Sequence, residues 1–160
     1  MTTNNHRIER FLDEHHVPYE VVAHLRTATS LRTADAAGVP SDRLAKAVLL
    51  EGDDCHMAAM IPADRDVRLG QLRQDYGEHL HLADEAAVRR LFDDCDPGAM
   101  PGLPSAWGVE TVWDDELLAH TDIYLEAGDH EHLIHVSTHH LRQAMEDMPH
   151  CHFCGPKRPH

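Results

Sequence analysis

Leu44-Ala45-Lys46-Ala47-Val48-Leu49-Leu50 is the stretch that decides the fold. It is apolar at every position except Lys46, and Gly52 and Asp53 stop it. A run this short without alternation reads as a strand covered on both faces, in the middle of a sheet. Residues 55–61 supply its partner, ended by Pro62, and Glu51-Gly52-Asp53-Asp54 between them has hairpin chemistry.

Working toward the N-terminus, Ile8, Phe11, Leu12 and His15 recur at helical spacing after the capping-competent Asn4 and Asn5, and Pro18 closes the segment. Residues 19–23 form a short strand ending at His24. A Thr/Ser/Arg loop follows, then a small Ala-rich helix capped by Ser30 or Thr33 and terminated by Gly38 and Pro40. Toward the C-terminus, Leu69, Leu72, Arg73 and Tyr76 predict a helix that stops at Gly77, followed by a brief strand at 80–82. Asp84 caps a helix whose apolar stripe is Val88, Leu91 and Phe92. Residues 93–107 carry too many prolines and glycines for either period and read as a structured loop. Strands at 109–113, 123–127 and 133–136 alternate with helices at 114–118 and 138–145. This interleaving, without repeats, predicts a single compact α+β domain with a mixed, mostly antiparallel, barrel-like sheet surrounded by helices. The domain spans 1–148, and a His/Cys-rich tail, expected to be unpacked, spans 149–160.

Composition narrows the function. The 160 residues carry 14 Lys+Arg against 28 Asp+Glu, a formal net charge of −14. Such a surface repels polyanions at long range, which argues against duplex DNA and anionic membranes as partners. A local basic pocket remains compatible with it. The four cysteines are too sparse for a disulfide framework and read as reduced thiols of a cytoplasmic protein. The polar N-terminus lacks the apolar core of a signal peptide, and no apolar run reaches membrane-spanning length. The expectation is a soluble, unprocessed protein.

Three segments could carry chemistry. Lys46 sits in surroundings that would bury its neighbours, and an ammonium there needs an anionic partner. It could hold a phosphate or polarise a carbonyl, or it could be a strand-end lysine reaching solvent along its own stem. The loop Cys95-Asp96-Pro97-Gly98-Ala99-Met100-Pro101-Gly102-Leu103-Pro104 could present backbone N–H groups in a rigid arc, or simply connect two elements. Gly128-Asp129-His130-Glu131-His132 reads as a hairpin turn whose histidines could orient a water or a ribose hydroxyl.

Taken in order, His24 before a Thr/Ser stretch, Leu44-Ala45-Lys46, Ile61-Pro62-Ala63-Asp64, Leu82-Ala83-Asp84-Glu85, Leu91-Phe92-Asp93-Asp94-Cys95, Gly98-Ala99-Met100-Pro101 and Ala127-Gly128-Asp129-His130 resemble the YbaK/EbsC-like family of prolyl-tRNA-synthetase-associated editing domains. The likeness covers about residues 17–145. It implies a free-standing aminoacyl-tRNA deacylase that hydrolyses the ester of a tRNA mischarged with a small amino acid, a translation-fidelity function. Lys46 and His130 are then the implied catalytic residues, with His24, Gly98, Ala99, Met100, Pro101 and Gly128 binding substrate. The implied partners are the acceptor end of the tRNA and, for a trans-acting editor, an aminoacyl-tRNA synthetase. No cofactor is implied, because an aminoacyl ester is already activated and a positioned water with two or three donors can open it. The alternative is a catalytically silent domain of the same fold that binds a small molecule, an aminoacyl conjugate or a protein.

Two departures from the family pattern stand out. Pro101 is followed by Gly102-Leu103-Pro104 where relatives usually have a second Pro, an aromatic or Leu, and Gly; Asp129 stands where relatives tend to have Thr, placing a carboxylate near a site for an anionic ligand. In the tail, His150-Cys151-His152-Phe153-Cys154 offers a C-x-x-C pair, so Cys151 and Cys154 are candidate zinc ligands beside the alternative that no metal is held.

Overall fold

The computed structural model describes residues 5–27, 29–53, 55–96 and 99–156. Helix α1 (Asn5–Glu14) buries Ile8 and Leu12, one turn apart, completely in the core. The expected cap at Asn4 lies outside the described residues. Strand β1 (Tyr19–Ala23) leads to α2 (Ser30–Ala37). The cap of α2 is Thr29, whose side chain accepts from the Arg32 amide, and not Ser30 or Thr33. Thr33 is instead buried and donates its hydroxyl to the Thr29 carbonyl at 2.9 Å. Gly38, at φ 69°, closes the helix in the left-handed region that glycine tolerates best.

The apolar stretch at 44–50 is β2 (Leu44–Glu51), paired antiparallel with β3 (His56–Pro62). Ala58, Ala59, Met60 and Ile61 of β3 are all fully buried, so both faces of this hairpin are covered, which accounts for the lack of alternation. Then come β4 (Arg65–Val67), α3 (Leu69–Tyr76), β5 (His81–Leu82) and α4 (Glu85–Leu91), the last capped by Asp84. The proline-rich loop contains a 3-10 helix at Pro104–Trp107. Beyond it lie β6 (Glu110–Asp114), α5 (Asp115–Leu118), β7 (Asp122–Glu126), β8 (His132–Ser137), α6 (Thr138–Ala144), β9 (His150–Cys151) and β10 (Cys154–Pro156).

The main sheet runs β1-β8-β7-β2-β3-β6-β9, with β5 also on β2; β10 and β4 form a separate pair. It is mixed: β7/β2, β3/β6 and β6/β9 are parallel, the other pairs antiparallel. One face packs Trp113, Leu117, Ile134 and Leu141 against α1; the other gathers Leu50, Ile61, Leu72 and Phe153. The chain is thus the single α+β domain with a mixed sheet that the interleaving of elements predicts.

The described part of the tail is not unpacked. Two of its strands join sheets, and Phe153 is 2% exposed within the second core cluster. β4, β9 and β10 are two or three residues long, too short for a period-two pattern to show in sequence.

His135 ties three strands together. From β8 it contacts Asp122 of β7 at 2.6 Å and Glu20 of β1 at 3.1 Å, and its ring stacks on Tyr124. Burial pulls its pKa down, but hydrogen bonds to and charges of Asp122 and Glu20 outweigh this and the net shift is upward. Asp122 shifts the other way, chiefly through its bond to His135. A histidine raised in the folded state stabilises fully below its unfolded pKa of about 6.5 and loses that contribution as pH climbs through the folded value. His135→Gln is therefore expected to cost up to about 1 kcal/mol near pH 6, with the gap to wild type closing at alkaline pH. Urea denaturation of both proteins across that range reads the difference; a gap independent of pH would contradict the assignment.

Candidate functional site

β2 and β7 run side by side for only two residues, Leu44 with Tyr124 and Ala45 with Leu125. Beyond that point the proline-rich loop takes over the edge of β7. The Gly102 amide donates to the Glu126 carbonyl at 2.7 Å, and the Asp96 amide donates to the Gly128 carbonyl at 3.0 Å. Glycine at 102 is a requirement of this contact, because a Cβ there would stand 2.5 Å from the Glu126 nitrogen and 2.9 Å from Leu125 Cα. The departure in the loop sequence is thus the point where the loop lies flat on the strand.

The turn between β7 and β8 is built around Asp129. Its carboxylate accepts from the amides of Glu131 and His132, both at 2.9 Å, and meets the His132 ring at 2.6 Å. Asp129 is 1% exposed, so its carboxylate is turned into the fold as a structural group. Gly128 at φ 97° and His130 at φ 64° complete the reversal, and a left-handed histidine is uncommon enough to mark a turn held in place by its surroundings. The segment after β1 does part of that holding: the His24 amide donates to the Glu131 carbonyl and the Thr27 amide to the His130 carbonyl.

Where these three segments meet lies a narrow cleft. Of the expected residues, His24, Ala99, Met100, Gly128 and His130 line it. Glu126 and His132, which sequence reasoning passed over, complete its wall. Its volume is about 30 Å³, the share of one water molecule. Within 99–102, Pro101 has no N–H, Ala99 donates to the Asp96 carbonyl and Gly102 to Glu126, and the Met100 amide meets no backbone acceptor among the described residues. Gly98, expected in the same arc, lies outside the described residues. Pro101 is buried behind the cleft and is not in its wall.

His130 is shared with a second hollow of about 390 Å³, lined also by Arg26, Thr27 and Arg32, a size within the range of small-molecule sites. Arg26 is more than half exposed. It reaches the Asp129 carbonyl at 3.4 Å and carboxylate oxygens of Asp96 and Glu131 at 3.5 and 3.9 Å, all long contacts that leave the guanidinium adjustable. Two arginines and a threonine thus surround one mouth, with the carboxylates of Asp96 and Glu131 beside Arg26. Nothing in the periodicity of residues 24–33 marks them, because their juxtaposition depends on the loop folding back toward α2.

Lys46 is on β2, one residue past the last β2–β7 pair. Alternation along the two strands puts it on the same face as Leu44, Tyr124 and Glu126. Its side chain is 19% exposed and its ammonium lies 3.9 Å from Asp66 of β4. The lysine therefore is not a strand-end residue in open solvent, and a short strand invisible in the sequence carries its anionic neighbour. Lys46 does not itself line the narrow cleft; the wall residue next to its strand position is Glu126. A hollow of about 580 Å³ around Thr121, Ser137 and Arg142 sits at the far end of β7 from this site.

The topology and the small cleft beside Arg26 and Arg32 define a single α+β domain with a mixed sheet and do not by themselves define one activity. The family model of the aminoacyl-tRNA editing domain matches residues 24–144, and the chain belongs to that family. Among solved structures it is similar to a protein described only as hypothetical, at TM-score 0.82 and 18% identity, covering 93% of this chain and 99% of that one. It is also similar to one described as a "putative trans-editing enzyme for prolyl tRNA synthetase", at TM-score 0.80 and 18% identity, covering 97% and 99%. No curated protein matches the sequence significantly. Among the described residues no helix is long and apolar enough to cross a membrane.

Gly102→Ala tests the contact that shapes the cleft. Since backbone atoms of β7 block the added methyl, the variant is expected to lose about 1–3 kcal/mol in urea unfolding. A neutral result would mean that the loop lifts off β7 at no cost.

Proposed function

We propose that the protein is a trans-acting aminoacyl-tRNA deacylase that removes a small amino acid from a mischarged tRNA. The observation that carries this reading is the pairing of a water-sized cleft with an arginine-lined mouth through the shared residue His130. Membership of the aminoacyl-tRNA editing family supports it and is in keeping with action in the cytoplasm, and the similar protein described as a "putative trans-editing enzyme for prolyl tRNA synthetase" supports a synthetase as its partner.

In this reading the terminal nucleotide enters the mouth, where Arg26 and Arg32 meet its phosphate, and the acyl group points toward Ala99 and Met100. The Met100 amide donates to the carbonyl oxygen as negative charge develops there, the kind of contact worth about 3 kcal/mol in acyl transfer. Lys46 adds positive charge behind the wall at Glu126, and His24 and His130 position the attacking water or the ribose hydroxyl. The ester carbon gains a bond to the water oxygen and loses its bond to the ribose oxygen, which takes up a proton. A cleft this small admits a small aliphatic side chain by modest widening and resists a bulky one, which suits an editor acting after a synthetase that separates neighbouring side chains by only about 1–3 kcal/mol.

A panel of mischarged tRNAs tests the reading. Hydrolysis is expected for at least one small amino acid and for none of the aromatic ones. Lys46→Ala is expected to lower kcat by about 100-fold or more, while Arg26→Ala with Arg32→Ala raises KM roughly ten-fold with kcat largely kept. No hydrolysis across the panel overturns the deacylase, and saturable tRNA binding without turnover would favour the silent binding domain.

A further inference from the structure

We propose that Asp114, Glu116, His152 and Cys154 form a zinc site that fastens the C-terminal segment to the sheet, remote in sequence and role from the cleft. β6 ends at Asp114, and Glu116 lies in the first turn of α5; His152 and Cys154 flank the buried Phe153. One ligand atom from each residue lies within 4.8 Å of the other three. Cys154 Sγ is 3.0 Å from Glu116 Oε2, and His152 Nδ1 is 3.3 Å from Asp114 Oδ1 and 4.0 Å from Glu116 Oε2. Tetrahedral zinc, with bonds of about 2.0–2.3 Å, sets its ligand atoms roughly 3.3–3.8 Å apart. Small side-chain adjustments therefore bring this set onto one ion.

The donor types select the ion. A thiolate and an imidazole beside two carboxylates suit zinc, whereas magnesium and calcium favour oxygen donors throughout. The groups behind the ligands are already arranged. Arg65 holds Glu116 by Oε1 at 3.0 Å, leaving Oε2 toward the cluster. Asp114 accepts the Glu116 amide on Oδ1 and the Phe153 and Cys154 amides on Oδ2. A carboxylate has about four acceptor positions, so one on Oδ1 remains, the oxygen that faces His152. Such fixed orientation behind a ligand is what metal sites require. On binding, zinc takes the place of the thiol proton that Cys154 now shares with Glu116, and that proton leaves to solvent.

The geometry also separates the two cysteines of the C-x-x-C pair. Cys154 belongs to the cluster; Cys151, in β9, packs toward the second core cluster and is not part of it. The ligand pattern is two i, i+2 pairs, Asp-x-Glu and His-x-Cys, from opposite ends of the C-terminal third of the chain.

The test uses the full chain, stripped with a chelator and titrated with zinc or cobalt(II) alone. One equivalent is expected to bind tightly, to raise the melting temperature, and with cobalt to give a thiolate charge-transfer band. Cys151→Ser is expected to behave as wild type and Cys154→Ser to lose the band. Because Cys154 is buried and its replacement could unfold the segment, the exposed His152→Ala is the deciding variant. It should keep the fold while weakening binding by more than the roughly 10–100-fold typical of losing a partner behind a ligand. Absence of a tight equivalent, several weak equivalents spread over the many histidines, binding indifferent to His152→Ala, or binding lost in a folded Cys151→Ser protein would each overturn the proposal.

Discussion

The cleft exists because two parallel strands part company. β2 and β7 pair through Ala45 and Leu125 and no further, and the edge of β7 that β2 abandons is taken by the backbone at Gly102. A sheet edge with unmet N–H and C=O groups buried near the core would be costly, so something must fill it. Here the filler is an irregular loop, not another strand, and irregular backbone can turn away again at once. That turn sets Ala99 and Met100 across from Gly128 and His130. A side chain at position 102 would hold the loop off the strand, and the geometry that follows from the contact would go with it.

Ionic groups around the site are arranged to be held by the fold rather than by one another. Asp129 is consumed by its own turn and by His132, which turns that carboxylate away from the arginine-lined mouth. Asp66 stands 3.9 Å from the Lys46 ammonium and offsets part of its charge. Arg26 touches three acceptors at long range. Cations held loosely by carboxylates can exchange those contacts for a phosphate at little cost, since one charged acceptor replaces another.

Much of this was legible in the chain. The 44–61 hairpin and the caps at Asp84 and Gly38 follow from apolar runs and glycine positions; of the eight residues that the order of short motifs points to, His24, Ala99, Met100, Gly128 and His130 meet at the cleft, Lys46 and Pro101 stand outside its wall, and Gly98 falls outside the described residues. What was not legible depends on long-range pairing. Asp66 gains meaning only because β4, three residues long, crosses near Lys46. Glu126 and His132 are ordinary polar residues on a strand pair until the loop at 96–102 covers them. Arg26 and Arg32 look like surface charges because the loop that brings them together has no period.

The tail shows the same limit most sharply. Composition made residues 149–156 look like a loose, hydrophilic end, but a single buried acid reverses that. Asp114 is fully buried, and burial alone would push its carboxyl toward the protonated form. Amide donors from Glu116, Phe153 and Cys154 outweigh burial and keep it ionised. Two of those three amides come from the tail. Had the tail stayed in solvent, Asp114 would carry a charge into the core with one amide donor instead of three, at a cost of several kcal/mol. The aromatic ring of Phe153 gains its burial in the same step. Docking of the tail and the charge state of Asp114 are therefore one event, and the segment belongs to the core for the reason that the core contains an acid.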